Sequence, residues 1–203
     1  MKHAYLLISV ILAASLGSPT AALENIEGAK FVQAADFELS NDSNRQFNRF
    51  KKSDQAYSSF FASTDGTEVG LNFSMFSQSD ADKHAKTICE ARASAACVLY
   101  ARLLPANAVG EIAVPSAFRS RFNKLKTNTK RGMFGAFAIN GSGGTAISMS
   151  KDNSTAEIAR NDALQLCRRS SEATRKQLPP ALAIASEKNS LFDCRVVFLF
   201  QKQ

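Results

Sequence analysis

The chain has 203 residues, of which 45% are hydrophobic, and a formal charge of +7. That length supports one or two domains with a real core, and the positive balance points to an anionic neighbour such as an envelope surface or an acidic protein. Fifteen phenylalanines and no tryptophan argue for core material rather than an aromatic sugar-binding platform, because a phenyl ring has no polar atom to satisfy.

Residues 1–22 have the three-part layout of a secretory signal: a basic head (Lys2, His3), an uncharged apolar run over residues 4–16, and small residues at Thr20, Ala21 and Ala22 after a Gly-Ser-Pro break. The apolar run falls short of the roughly 20 residues a bilayer span needs, so cleavage after Ala22 is expected, with an uncleaved anchor as the alternative. No cysteine follows closely to take a lipid, and no later run is long enough to cross a membrane. Removing Lys2 with the signal leaves a charge of +6. The expected location is the periplasm or the exterior. There an even number of cysteines is most simply read as disulfides, and four cysteines allow three pairings.

Residues 23–55 form a polar N-terminal extension, with FVQAADFEL as a candidate strand and SNRQFNRF as a candidate short helix. Residues 56–104 form the first of two similar units. FASTDGTEVGLNFSMF, from Phe61, is matched by FAINGSGGTAISMS, from Phe137. Each has Phe-Ala, a turn dipeptide (Asp65-Gly66, Asn140-Gly141) suited to a tight hairpin with positive φ at both positions, and a strand-like run closing on Ser-Met. Then come two helix starts, Ser79-Asp80-Ala81-Asp82 and Ser154-Thr155-Ala156-Glu157, with Ser79 and Ser154 as caps. The helices carry small residues spaced by four, Ala81, Ala85, Cys89 and Ala159, Ala163, Cys167, a smooth stripe able to lie close on a sheet. The second helix is expected to be about one turn longer before its cysteine. Each unit ends in a cysteine and an apolar run, from Cys97 and from Cys194.

Residues 105–131 form a basic linker. Phe118, Phe122 and Leu125 fall at helical spacing, with Ser116 as the expected cap. Around them stand Arg119, Arg121, Lys124, Lys126, Lys130 and Arg131, and no acid lies between Glu111 and Asp152. These six cations are the candidate anionic-partner site. The apolar stripe could instead dip into a membrane surface, or pack on the sheet and leave the charges merely solvated. The second unit fills residues 132–203. Its helix is expected to run to about Leu178, where Pro179-Pro180 stops it, and a loop with an apolar patch at residues 181–185 follows.

The fold class is therefore α+β: two ββαβ repeats with antiparallel sheet and one long helix each, stapled by disulfides. Such small units are expected to bury their sheets against each other or to join in one continuous sheet. Each unit has one cysteine on its helix and one at the start of its last strand, which favours Cys89–Cys97 and Cys167–Cys194. Pairing across the units is the alternative.

The second half resembles a family of small secreted bacterial domains of unknown function. It carries Gly135-Ala136-Phe137-Ala138, a Gly-rich turn over residues 140–144, Ala159-x3-Ala163-Leu164-x2-Cys167 and Cys194-Arg195-Val196-Val197. The first half is similar more loosely, with Thr87-Ile88 where Ala-Leu is usual. The resemblance implies a disulfide-bearing α+β module in the envelope or outside, with no catalytic residue to carry over. The 26 residues between Cys167 and Cys194 exceed the usual spacing of that family.

Other chemistry finds little support. The cysteines lack the C-x2-C and H-x3-H elements of a zinc site, and neither pair is C-x-x-C; no metal or cofactor is expected. His84, the one histidine after residue 22, sits among charges on the first helix and reads as part of a solvated face. Gly141-Ser142-Gly143-Gly144 lacks the Gly-Lys-Ser/Thr ending of a phosphate loop. The expected function is a non-enzymatic binding module of the envelope, with a protein or an anionic polymer as partner and no specific nucleic acid. The alternatives are a hydrolase of an envelope polymer through acids the spacing does not select, and a periplasmic enzyme inhibitor or immunity protein that inserts the segment between Cys167 and Cys194.

Overall fold

The computed structural model describes residues 23–107, 109–149 and 154–203. The expected signal segment lies outside the described residues. In chain order the elements are β1 (Ala29–Gln33), α1 (Asn41–Lys51), β2 (Ser58–Ser63), β3 (Val69–Leu71), α2 (Gln78–Glu90), β4 (Cys97–Pro105), α3 (Ser116–Asn128), β5 (Phe134–Asn140), β6 (Thr145–Ser148), α4 (Ala156–Gln177), α5 (Pro180–Lys188) and β7 (Cys194–Gln201). The protein is α+β, as expected. Its two antiparallel sheets are separate, one in the order β1-β4-β2-β3 and the other β6-β5-β7.

The sheets neither merge nor stack face to face, because helices occupy both faces of each. Phe47 and Phe50 of α1 cluster with Phe60 and Ala62 on one face of the first sheet. On the other face Ala85 and Cys89 of α2 cluster with Phe61. In the second sheet Phe122 and Leu125 of α3 meet Phe137 and Ile139, and Ala159, Ala163 and Cys167 of α4 meet Ala136 and Ala138. Alternating side chains along β2 and β5 thus address opposite helices, as the pleat requires. The segment read as an extension supplies β1 and α1, and the segment read as a linker supplies α3. Both helices precede the central strand of their sheet and cover the same face of it.

The two sheets share features of register. Ser63 lies opposite Cys97, and Asn140 opposite Cys194. Each ladder shifts register once, between Phe60 and Phe61 and between Phe137 and Ala138. Phe60 therefore corresponds to Phe137, one residue away from the Phe-Ala match. The turns differ from expectation as well. Positive φ occurs at Gly66 (+72°) and Gly143 (+84°), and not at Asp65, Asn140 or Gly141. These are wider turns, each closed by a glycine N–H donating to the carbonyl three residues back, Ser63 or Asn140.

Helix starts are corrected by one or two residues. The cap of α2 is Ser77, not Ser79: its Oγ accepts from the Asp80 N–H at 3.1 Å and its hydroxyl donates to the Asp80 carboxylate at 2.8 Å. The cap of α4 is Thr155, not Ser154, with its Oγ accepting from Ile158 N–H at 3.2 Å. From these caps both helices reach their cysteine after twelve residues, so the expected extra turn before Cys167 is absent. Ser116 is the first residue of α3, which starts after Pro115 with no side-chain cap. Beyond Pro179-Pro180 the expected loop is a helix, α5; Pro180 suits the first turn, where no backbone donor is needed.

The small-residue stripes do their expected work. Ala81, Ala85, Cys89, Ala159 and Ala163 are fully buried, and Cys167 nearly so. Disulfides join Cys89 to Cys97 and Cys167 to Cys194, with Cα–Cα distances of 6.1 and 6.0 Å. Both tie a helix to the last strand of its own sheet. Every phenylalanine is buried or half-buried, and full burial of such a ring is worth about 1.5–3 kcal/mol.

The two units meet through α2. The Asp80 carboxylate accepts from Arg195 at the start of β7, and Asn189 Nδ2 donates to Thr87 Oγ1 at 2.9 Å. Phe76, just before α2, packs against Phe118 and Phe137 with ring centroids 4.9 and 5.5 Å away.

Candidate functional site

Five of the six candidate cations lie at the surface. Arg121, Lys124 and Lys126 project from the exposed side of α3, and Lys130 and Arg131 follow it. Phe122 and Leu125 lock the opposite side onto the second sheet, 2% and 0% exposed. The apolar stripe is therefore core, and it is not available to enter a membrane surface. Lys126 lies over the rings of Phe122 and Phe198, at 4.8 and 5.7 Å, and Arg121 donates to Thr145 Oγ1 at 2.6 Å. Lys202 adds a charge beside them, its Nζ donating to the Lys126 carbonyl at 2.9 Å. None of these cations forms an ion pair among the described residues.

Arg119 separates from the other five. It is half-buried, its Nη2 donates to the Ile26 carbonyl at 3.0 Å, and its buried Nε has no acceptor. It lines a hollow of about 330 Å³ with Glu27, Asp54, Gln55, Ser74 and Ser116. A second hollow of about 420 Å³ shares Gln55 and Ser74 with the first. It is walled by Leu71, Phe73 and Met75 from the first unit and by Phe118, Ser142 and Gly143 from the second.

His84 lines this second hollow, which overturns its reading as a solvated residue. Burial lowers its pKa from 6.5 to about 4, against a smaller opposing influence of the Asp80 carboxylate. It is neutral at physiological pH, and its buried Nδ1 has no hydrogen-bond partner. Ser74, 7% exposed, has an unpartnered Oγ too. Its backbone is held at φ +57°, an αL conformation that costs a non-glycine residue about 1–2 kcal/mol. Among the described residues, four buried side-chain polar atoms lack a partner, and three of them belong to this junction.

Elsewhere polar groups are already engaged. Asp82 accepts from Arg102, Ser59 and Gln78, tying α2 to β2 and β4. In the Gly-rich turn Asn140 Oδ1 accepts from the N–H groups of Ser142 and Gly144 at 3.1 and 2.7 Å, while Gly143 N–H donates to the Asn140 carbonyl. The N–H groups of Ser142, Gly143 and Gly144 are therefore taken, which argues against the phosphate-loop reading. A hollow of about 560 Å³ between α4 and α5 is lined by Arg168, Asp193 and three charges that pair with one another, Arg175 with Glu172 and Glu187. Hydrogen bonding and the charge of Arg175 hold the Glu172 carboxyl below its usual range, the opposite of what a general acid needs at neutral pH. No group of three or more His, Cys, Asp or Glu able to hold a metal occurs among the described residues. None of their helices is long and apolar enough to cross a membrane. The segment between the second pair of cysteines, the inserting element of the inhibitor alternative, is folded as the end of α4 and as α5, docked on α2 through Asn189.

The six cations were visible as a run without acids. Ser74 and His84 carried no such signal, since Ser74 and Arg119 stand 45 positions apart in the chain. Comparison with known protein families, curated proteins and solved structures finds no match.

Proposed function

We propose that this chain is an exported, disulfide-stapled binding module of the cell envelope, periplasmic or secreted, and that its partner is anionic: an acidic protein or an anionic polymer. The observation that carries this reading is the outer face of α3. Its cations are exposed and unpaired, while the apolar side of the same helix is fixed in the core. A rigid helix that presents several like charges without counter-charges raises the local concentration of anions. Two disulfides suit an oxidising compartment. The shared strand order and cysteine registry support reading the two units as copies of one module, of the secreted kind that the second half resembles.

The test is binding to heparin and to poly-L-glutamate across a salt series. We expect affinity to fall steeply with salt. Neutralising Arg121, Lys124, Lys126, Lys130 and Arg131 together to glutamine should weaken it at least about tenfold. Unchanged binding by the quintuple variant would overturn the assignment of this face.

A further inference from the structure

The junction between the units has properties that the basic face does not share, and they point to a small molecule. Arg119, Glu27 and Asp54 line one hollow, yet none of the three is ion-paired among the described residues. Opposite charges thus face one space without neutralising each other. On the cationic side stand the unpartnered Arg119 Nε, the unpartnered Ser74 Oγ, and the first turn of α3, which begins at Ser116 with no side-chain cap. A helix start of that kind favours a carboxylate, and an arginine beside it strengthens the preference. On the anionic side the exposed carboxylates of Glu27 and Asp54 suit an ammonium group. The adjoining hollow, sharing Gln55 and Ser74, is walled by Leu71, Phe73, Met75 and Phe118 and suits an apolar side chain.

We propose that this junction binds a free zwitterionic amino acid with an apolar side chain, its carboxylate at Arg119 and Ser74, its ammonium toward Glu27 and Asp54, and its side chain in the adjoining hollow. Ser74, held at a positive φ, lines both hollows and joins them. The proposal is independent of the five surface cations.

The experiment is calorimetric titration of the oxidised chain with L-phenylalanine and L-leucine. Parallel titrations use 3-phenylpropionate, which lacks the ammonium, and phenethylamine, which lacks the carboxylate. We expect saturable binding of at least one amino acid, with both truncated analogues at least about tenfold weaker. Arg119→Gln and Asp54→Asn should each weaken binding about tenfold. Asp54 lies on the exposed rim, so its variant carries the test if Arg119→Gln fails to fold. Three results would each overturn the proposal: no saturable binding of either amino acid at about 10 mM, equal binding of the truncated analogues, or undiminished binding by Asp54→Asn.

Discussion

Gly70→Ala tests the closest helix–sheet approach in the molecule's first unit. A Cβ at Gly70 would stand 2.0 Å from the Ala85 carbonyl oxygen and 2.4 Å from the Cys89 nitrogen. Both are backbone atoms of α2, so no side-chain rotation relieves the clash. Ordinary contact begins near 3.4 Å, and α2 would have to retreat by roughly 1 Å or more. A gap of that size forfeits about a quarter to a half of each lost contact's attraction, beneath Ala81, Ala85 and Cys89, all fully buried. The helix is also held by the Cys89–Cys97 disulfide and the Asp82–Arg102 ion pair. Overpacking typically costs about 1–3 kcal/mol, and a backbone obstruction belongs at the top of that range. Restricting the unfolded chain returns about 0.4–1 kcal/mol, for a net loss of about 2 kcal/mol. Gly70 lies opposite Phe61, and Ala146 holds the corresponding place opposite Ala138. Ala146→Gly creates no clash and serves as the control, losing about 1–2 kcal/mol from a methyl and added chain entropy. The assay is equilibrium urea unfolding of the oxidised chain without its first 22 residues. A loss under about 0.5 kcal/mol for Gly70→Ala would refute the close approach of β3 and α2.

Replacing both members of a disulfide by serine should cost about 2.5 kcal/mol for Cys89 and Cys97 and about 3.5 kcal/mol for Cys167 and Cys194 by loop-closure entropy, from separations of 8 and 27 residues; urea midpoints check the order, and a larger loss for the short pair would contradict it. His84 should give stability an acid limb: its pKa is about 4 folded against 6.5 unfolded, so the unfolded chain takes up the proton first as pH falls. At about 1.4 kcal/mol per pKa unit, up to roughly 3 kcal/mol is lost between pH 6.5 and 4, with no contribution above that window. Unfolding of His84→Gln across the same range should lack this limb, and identical slopes for the two chains would sink the idea.

The pairing of cysteines was legible because each lay beside an element with a strong pattern of its own. The helix caps were not, and the reason is chemical. Ser77-Gln78-Ser79-Asp80-Ala81-Asp82 offers two serines with an acid three residues on, and only the tertiary structure distinguishes them: Asp82 is drawn to Arg102 and Ser59, leaving Asp80 to answer Ser77. The strand register slipped by one for a related reason. Matching Phe61 with Phe137 follows the Phe-Ala dipeptide, whereas the sheets put Phe60 and Phe137 on corresponding faces. What then differs is the helix-facing pair, Phe61 with Gly70 against Ala138 with Ala146. Large with small in one unit replaces small with small in the other, a compensation between residues nine positions apart. The junction hollow was illegible altogether, because it exists only where α3 meets three segments far apart in the chain, around Glu27, Gln55 and Ser74.

Comparison of α1 with α3 separates what the fold needs from what it does not. Each precedes a central strand, covers the same face of its sheet, and uses two large apolar residues three apart to do so, Phe47 with Phe50 and Phe122 with Leu125. Covering that face therefore imposes a demand on the buried side only. The exposed sides differ in one respect: α1 has Arg45, Arg49 and Lys51 with Asp42 ion-paired to Arg45, while α3 exposes Arg121, Lys124 and Lys126 with no acid at all. Arg121 and Lys124 stand three apart on α3, and like charges on neighbouring helical positions cost a few tenths of a kcal/mol. Core packing constrains only the buried side, so it does not account for the lack of an acid on α3. Under the proposed reading an anionic partner would supply the missing anions, and α3 would then be more stable in the complex than in the free protein.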